Sequence, residues 1–125
     1  MILKNFYTVV SKEEVSPEGS FVFEILINPE HEIFKGHFPG NPIMPGVCMM
    51  QITKDLVEGI TETKLFMKKC SNVKFMAIIN PEKNKKLQLK IRVSKDSEED
   101  YKVTNVTQFE DTVALKINAL YTLKK

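Results

Sequence analysis

Cysteine is scarce in this sequence, with Cys48 and Cys70 the only two among 125 residues. The N-terminal run MILKNFYTVV is interrupted by Lys4 and Asn5 and offers no small-residue cleavage site, so it does not resemble a signal peptide. Two cysteines and no export signal predict no structural disulfide and a reducing, cytoplasmic location. No stretch reaches the ~20 apolar residues that span a membrane, so membrane insertion is not expected.

Net charge is also small, at +2, although charged residues make up 27% of the chain. The lysines are spread along the sequence and form no basic cluster, which argues against nucleic acid as a partner. A mild positive balance suits an acidic partner. The length and the 42% hydrophobic content predict a single domain over residues 1–125, with its own core.

Hydrophobic periodicity predicts one long helix and several strands. The helix begins near Pro45, with Cys48, Met49, Ile52, Leu56 and Ile60 at helical spacing. Strands are predicted at residues 6–12, 20–28, 64–69, 72–79, 86–95, 101–108 and 112–123, and 64–69 with 72–79 can form one bent strand. Strands that follow one another without alternating helices predict an α+β fold of one helix on five to seven largely antiparallel strands.

Residues 29–46 differ from the rest, with four prolines and three glycines that predict an irregular, shaped loop. The loop ends where the helix begins, so unpaired N–H groups of Gly46 and Val47 and the positive end of the helix dipole point toward it. That arrangement suits an oxygen that gains negative charge. His37 is a candidate base, because an unperturbed histidine is largely neutral at cellular pH. His31 is expected to be a surface residue at a turn.

The stretch from His37 to Val47, HFPGNPIMPGV, resembles the HFPGxPxxPGV signature of the bacterial 3-hydroxyacyl-[acyl carrier protein] dehydratases. Val73-Lys74-Phe75, the turn at Pro81 and Leu87-Gln88-Leu89 extend the resemblance over nearly the whole chain. It implies a hotdog fold, in which a curved sheet wraps one long central helix, and a homodimer with sites completed across the interface. The implied reaction dehydrates a 3-hydroxyacyl chain on acyl carrier protein to the trans-2-enoyl thioester, in fatty acid or related lipid or polyene biosynthesis. No metal or organic cofactor is implied.

By the same resemblance His37 is base and proton shuttle, and the N–H groups of Gly46 and Val47 hold the enolate oxygen. Fourteen residues after the histidine the family has a Glu or Asp as the acid, whereas this chain has Gln51. An amide cannot release a proton near neutral pH. Asp55 lies one helical turn further, about 6 Å along the axis, and is expected to be a helix-surface residue beside Glu58.

A second group of residues is predicted to bind the acyl chain: Phe38, Pro39, Gly40, Met44, Met49 and Met50, with Phe66 and Phe75 as further candidates. Flexible methionines suit chains of different shape, although these side chains can equally be ordinary core. Cys48, at a helix N-terminus, is a conceivable nucleophile but is expected to be buried. Lys68, Lys69, Lys85, Lys86, Lys124 and Lys125 either form a landing patch for the acidic carrier protein or serve solubility.

The sequence leaves two alternatives to a dehydratase open. Gln51 in place of an acid is compatible with a non-catalytic hotdog protein that binds acyl carrier protein, or with the inactive partner of a dehydratase heterodimer. A hotdog thioesterase is the other alternative, against which the HFPG motif speaks, because thioesterases of this fold usually place their carboxylate elsewhere.

Overall fold

The computed structural model describes residues 4–36 and 42–124. In chain order its elements are β1 (Tyr7–Ser16), β2 (Ser20–Ile27), α1 (Glu32–Gly36), α2 (Gly46–Thr61), β3 (Leu65–Phe75), β4 (Lys86–Lys95), β5 (Asp100–Phe109) and β6 (Thr112–Leu123). The strands form one sheet in the order β1-β2-β4-β5-β6-β3, and every neighbouring pair is antiparallel. The predicted α+β hotdog architecture, a long helix with a largely antiparallel sheet, is confirmed.

The core lies between α2 and one face of the sheet. Along β4, buried side chains alternate with exposed ones, as the two-residue repeat of a strand with one covered face requires. The buried face of α2 consists of Cys48, Met49, Ile52, Thr53, Leu56 and Val57. All of these except Thr53 belong to the same hydrophobic cluster as Leu87, Leu89, Ile91 and Ile117 of the sheet. Each fully buried Leu or Ile of such a cluster stabilises the fold by about 1.5–3 kcal/mol.

A short polar chain crosses this core and ties the helix to the sheet. Asn105 of β5 donates its side-chain N–H to the Thr53 hydroxyl at 2.8 Å, and that hydroxyl donates to the Met49 carbonyl at 2.8 Å. The Thr107 hydroxyl donates to the Asn105 side-chain oxygen at 3.0 Å. Thr53, Asn105 and Thr107 are fully buried, so these bonds remove the large desolvation penalty that unpaired polar atoms would carry.

The stretch 29–46 is not irregular throughout, contrary to the prediction, because Glu32–Gly36 form the short helix α1. No proline stands between residues 30 and 38, so the backbone there keeps the N–H groups that a helical turn needs. His31 was expected at the surface but is half-buried. Its Nδ1 accepts the Ile33 N–H at 3.1 Å, which leaves Nε2 to donate to the Lys4 carbonyl at 2.9 Å.

Some strands have the predicted bounds, and others begin or end at different residues. β4 and β6 have the predicted bounds, and the segments 64–69 and 72–79 belong to one strand, β3, that ends at Phe75. Two register shifts against β6 interrupt β3, between Met67 and Lys69 and between Cys70 and Asn72. β1 continues through Ser16, four residues past its predicted end. Within residues 4–36 and 42–124, no helix is long and apolar enough to cross a membrane.

Candidate functional site

The N-terminus of α2 presents free backbone donors. Pro45, at the N-cap, has extended backbone angles and no side-chain cap, and its carbonyl accepts the N–H groups of Cys48 at 3.1 Å and Met49 at 3.4 Å. Within the described residues, nothing accepts a hydrogen bond from the N–H of Gly46 or Val47. Both groups point along the positive end of the helix dipole, which suits an anionic oxygen. These are the two residues predicted as oxyanion donors.

An apolar groove, here called the Phe75 groove, borders this helix start and has a volume of about 460 Å³. Its lining consists of Ile43, Met44, Gly46, Met49, Phe75, Met76, Ala77, Ile78, Ile79, Ala114 and Leu115. The Phe75 ring lies directly over Gly46, where an added Cβ would come within 2.7 Å of its Cζ. Glycine at position 46 therefore permits the ring to approach the helix start. Met44 and Met49, two of the predicted substrate-binding residues, lie in this groove.

A second groove, the Gln51 groove, has a volume of about 360 Å³ and is lined by Val47, Met50, Gln51, Lys54, Phe66, Met67 and Tyr121. It brings together Val47, Met50 and Gln51, which were predicted as site residues. Tyr121 is fully buried, and its hydroxyl has no hydrogen-bond partner among the residues that the structure describes. Burial, with smaller contributions from Cys70 and Glu58, raises the pKa of Tyr121 to about 12. This phenol is therefore neutral at cellular pH.

Gln51 is held by its neighbours. Its side-chain N–H donates to Asp55 Oδ1 at 2.8 Å, and the Tyr7 hydroxyl of β1 donates to Asp55 Oδ2 at 3.2 Å. We call this arrangement the Tyr7–Asp55–Gln51 chain. Burial, and then the adjacent Asp55 carboxylate, raise the pKa of Tyr7, so Tyr7 stays protonated and remains the donor.

Asp55 and Glu58 lie on the same face of α2, as expected, and line one surface groove with Gly59 and Glu62, but neither carboxylate is free of contacts. Asp55 is half-buried and bonded to two side chains, and Glu58 accepts the Leu65 N–H at 2.7 Å where β3 begins. These contacts come from Tyr7 at the start of β1 and Leu65 at the start of β3, and helical periodicity alone does not show them.

Several predicted site residues lie outside the described residues: His37, Phe38, Pro39 and Gly40. Their roles stay predictions, as does the placement of His37 close to residue 51 of the partner chain. Cys48 is 1% exposed, and burial raises the pKa of its thiol, which opposes the formation of a thiolate nucleophile. The expectation of a buried Cys48 is confirmed.

Sequence reasoning missed Tyr7 and Tyr121 as neighbours of the site. Tyr7 is 48 positions from Asp55 in sequence. Tyr121 lies in β6, the last strand, and lines the Gln51 groove. Neither contact has a local sequence signal. The spacing of four residues between Gln51 and Asp55 was such a signal, because side chains so spaced are neighbours on a helix.

Two of the lysines predicted to bind the carrier protein form ion pairs within the chain. Lys68 is paired with Asp100 at 2.9 Å, and Lys86 with Glu24 at 2.7 Å. These two cations already have acidic partners within the chain. In the part of the chain that the structure describes, no group of three or more His, Cys, Asp or Glu side chains is arranged to hold a metal ion.

Comparisons with known proteins identify relatives of this chain. The chain is 29% identical over 109 residues to the 3-hydroxyacyl-[acyl-carrier-protein] dehydratase FabZ of Lactobacillus helveticus, which covers 82% of this chain and 72% of that protein. The FabZ of a Caulobacter species is 27% identical over 118 residues, covering 87% and 71% of the two chains.

Solved structures share the fold at lower identity. A chain of the dehydratase heterocomplex ApeI:P from Xenorhabdus doucetiae superimposes with a TM-score of 0.69 at 16% identity, over 92% of this chain and 96% of that chain. A phenylacetic acid degradation-related protein from Ralstonia eutropha, proposed to be a thioesterase, gives 0.64 at 11% identity, over 90% and 83%. At these identities the likeness shows the fold alone.

A family model described as "ApeI-like: ApeI dehydratase" matches residues 12–115, which is most of the chain. The match includes both β2 and α2 and extends into β6. The predicted resemblance to the dehydratases is thereby confirmed, and the chain belongs to the ApeI-like dehydratase family.

Proposed function

We propose that this protein removes water from a 3-hydroxyacyl chain carried as a thioester on acyl carrier protein, giving the trans-2-enoyl thioester in fatty acid or related lipid biosynthesis. The observation that carries the proposal is the pair of N–H groups at Gly46 and Val47 beside the Phe75 groove, which have no acceptor among the described residues. They follow directly on the HFPGNPIMP segment of the sequence. Donors next to an apolar groove suit an acyl thioester whose carbonyl oxygen becomes negative.

In the proposed reaction His37 takes the proton from C2 of the acyl chain. The electron pair of that C–H bond moves toward the carbonyl, and the N–H groups of Gly46 and Val47 hold the oxygen that becomes negative. The C2–C3 double bond then forms as the C3–O bond breaks. The departing hydroxyl needs a proton, which the Gln51 amide cannot supply. We assign that proton to protonated His37, so the histidine acts as base and then as acid.

The acyl chain is placed in the Phe75 groove, where Met44 and Met49 contribute flexible side chains. The groove is open to solvent along Phe75 and Ile78, which are 60% and 66% exposed. A second copy of the protein, paired through β3, is proposed to cover this surface and to complete the site.

Gln51 also supports a second candidate, a protein without catalytic activity that binds acyl carrier protein or is the inactive member of a heterodimer. The X. doucetiae complex named above is a dehydratase heterocomplex, which gives this alternative a structural parallel. The thioesterase alternative rests on fold likeness at 11% identity, and the HFPG motif speaks against it.

Turnover of a 3-hydroxyacyl-[acyl carrier protein], followed by mass spectrometry as the loss of one water, tests the proposal. The native protein is expected to form the enoyl thioester, and His37→Ala to abolish the reaction. Lys35→Ala, an exposed change in the same segment, is the matched control and should retain the native rate. Absence of turnover in the native protein, together with binding of the carrier protein, would favour the non-catalytic alternative. Release of free acid would indicate a thioesterase.

A further inference from the structure

We propose that Tyr7 and Asp55 are positioning residues that orient the Gln51 amide, so that its carbonyl oxygen accepts a hydrogen bond from the 3-hydroxyl of the acyl chain. The inference rests on the proposed function and deepens it, because it assigns to Gln51 the recognition of a hydroxylated chain. The acyl chain is placed in the Phe75 groove of one protomer, and the Gln51 that meets its 3-hydroxyl belongs to the second protomer, across the proposed β3 interface. The observation behind it is the Tyr7–Asp55–Gln51 chain at the edge of the Gln51 groove.

The chemistry of the partners fixes which end of the amide faces Asp55. A carboxylate only accepts hydrogen bonds, so Gln51 must present its N–H to it, as the 2.8 Å contact between Gln51 Nε2 and Asp55 Oδ1 shows. A hydrogen bond to a charged acceptor is roughly twice as strong as a neutral one. The amide is therefore held in one of its two orientations.

The carbonyl oxygen of Gln51 is consequently the end that remains for a ligand. Among the described residues none donates a hydrogen bond to it, whereas the amide nitrogen is engaged. Most of the groove around it is apolar, with Val47, Met50, Phe66 and Met67 in the lining. An acceptor in such surroundings favours a ligand with an O–H group over one that leaves the acceptor unpaired.

Asp55 does not serve as the missing acid in this arrangement. Both of its oxygens accept hydrogen bonds, one from Gln51 and one from Tyr7, so neither presents a proton to the groove. Tyr7 comes from β1 and is half-buried, which anchors Asp55 to the sheet as well as to its own helix. The 3.2 Å contact from Tyr7 is the longer of the two, and its loss should have the smaller effect.

Binding of two non-reacting probes to the intact protein tests the inference. The probes are 3-hydroxydecanoyl and decanoyl pantetheine analogues with an amide in place of the thioester, and isothermal titration calorimetry measures their dissociation constants. The native protein should bind the hydroxylated probe about tenfold more tightly, as one net hydrogen bond allows. Gln51→Leu should abolish this preference. Asp55→Asn should abolish it equally, because an asparagine no longer dictates which end of the amide faces the groove.

The double variant Gln51→Leu/Asp55→Asn should lose no more than either single variant, since both act through one amide. Tyr7→Phe should reduce the preference partly and is the fallback if Asp55→Asn does not fold. Glu62→Gln, an exposed change at the end of α2, is the control and should behave as native.

Two results would overturn the inference alone. One is a native protein that binds both probes equally, and the other is a preference that Asp55→Asn and Tyr7→Phe retain while Gln51→Leu loses it. A native protein that binds neither probe would overturn the proposed function, and the inference with it.

Discussion

Position 51 is central to the proposed chemistry, because Gln51 stands where the family resemblance places an acid. Gln51→Glu is expected to raise dehydratase turnover, since a general acid contributes about 10²–10⁴-fold in favourable cases. The new carboxyl would lie beside Asp55, whose Oδ1 is 2.8 Å from the present amide nitrogen. Two carboxylates at that distance cannot both ionise easily, so one of them would have a raised pKa and hold a proton near neutral pH. The helix N-terminus opposes this by favouring the ionised form.

The two adjacent carboxyl groups determine how the rate gain of Gln51→Glu changes with pH. The protonated carboxyl is present below its raised pKa and is lost as the pH rises, so the gain from Gln51→Glu should be largest at the acidic end of the active range. Initial rates of native, Gln51→Glu and Gln51→Leu proteins, measured across pH, check it. Equal rates in the native and Glu proteins would mean that His37 or water supplies the proton unaided.

Replacement of Tyr121 is expected to change the stability of the fold. Its buried hydroxyl has no partner among the described residues, so Tyr121→Phe removes an unpaired polar atom and should stabilise the fold by about 1 kcal/mol at pH 7. The pKa is raised from 10.0 to about 12, so the unfolded chain releases this proton first as the pH rises. This group therefore costs no stability below pH ~10, and the native protein loses about 1.4 kcal/mol per pH unit from it between the unfolded pKa of 10.0 and the folded pKa of about 12.

Urea unfolding at pH 7 and at pH 11 measures both effects. Tyr121→Phe should lose less stability between the two values than the native protein does. Tyr101→Phe is the matched control, because Tyr101 lies opposite Tyr121 in the register of β5 and β6 but is only half-buried. If Tyr121→Phe is less stable than native at pH 7, the hydroxyl has a partner that the described residues do not include.

At the scale of elements, the sequence predicts best where one periodicity governs a whole segment. β4 alternates from Leu87 to Val93, and α2 repeats its apolar residues from Cys48 to Ile60, so both were recognised with correct or nearly correct bounds. α1 was missed because its five residues show no periodicity among the surrounding prolines. The contact between Tyr7 and Asp55 was missed because it depends on β1, which is distant in sequence. Of the candidate site, local sequence predicted the residues but not their long-range partners.

The hydrogen bond that attaches α2 to β5 is expected to contribute to the stability of the fold. Thr53→Val removes the acceptor of the Asn105 side-chain N–H and leaves that group buried without its 2.8 Å partner. The expected destabilisation is about 1–3 kcal/mol, the usual penalty for an unsatisfied buried donor. Thr61→Val is the matched control on the same helix, since the Thr61 hydroxyl also donates to a carbonyl four residues back, at 3.0 Å, and is only half-buried.

Urea denaturation with far-ultraviolet circular dichroism measures the two free energies of unfolding. The polar chain would have no energetic role if Thr53→Val cost as little as Thr61→Val. A larger loss in Thr53→Val with an unchanged dependence on urea would locate the effect in the native state.

At the scale of the whole molecule, the two edges of the sheet differ in character. β1 forms one edge and carries the charged run Lys12, Glu13 and Glu14, which discourages pairing with another chain. β3 forms the other edge and has exposed Phe66 and Phe75. The β3 edge also adjoins both grooves of the candidate site.

We therefore expect a homodimer in which β3 of one protomer pairs with β3 of its partner, as the family resemblance implies. Light scattering at micromolar concentration should give twice the 14.4 kDa mass of the chain. Phe66→Glu places a charge on the β3 edge and should shift the protein toward the monomer, because burying an unpaired carboxylate in an interface is strongly unfavourable. Val15→Glu on the β1 edge is the matched control, since Val15 and Phe66 are both 58% exposed.

The control should remain dimeric, and a dimer broken by Val15→Glu but not by Phe66→Glu would place the interface on β1. Because each proposed site is completed across the β3 edge, monomeric Phe66→Glu should also lose dehydratase turnover while Val15→Glu keeps it.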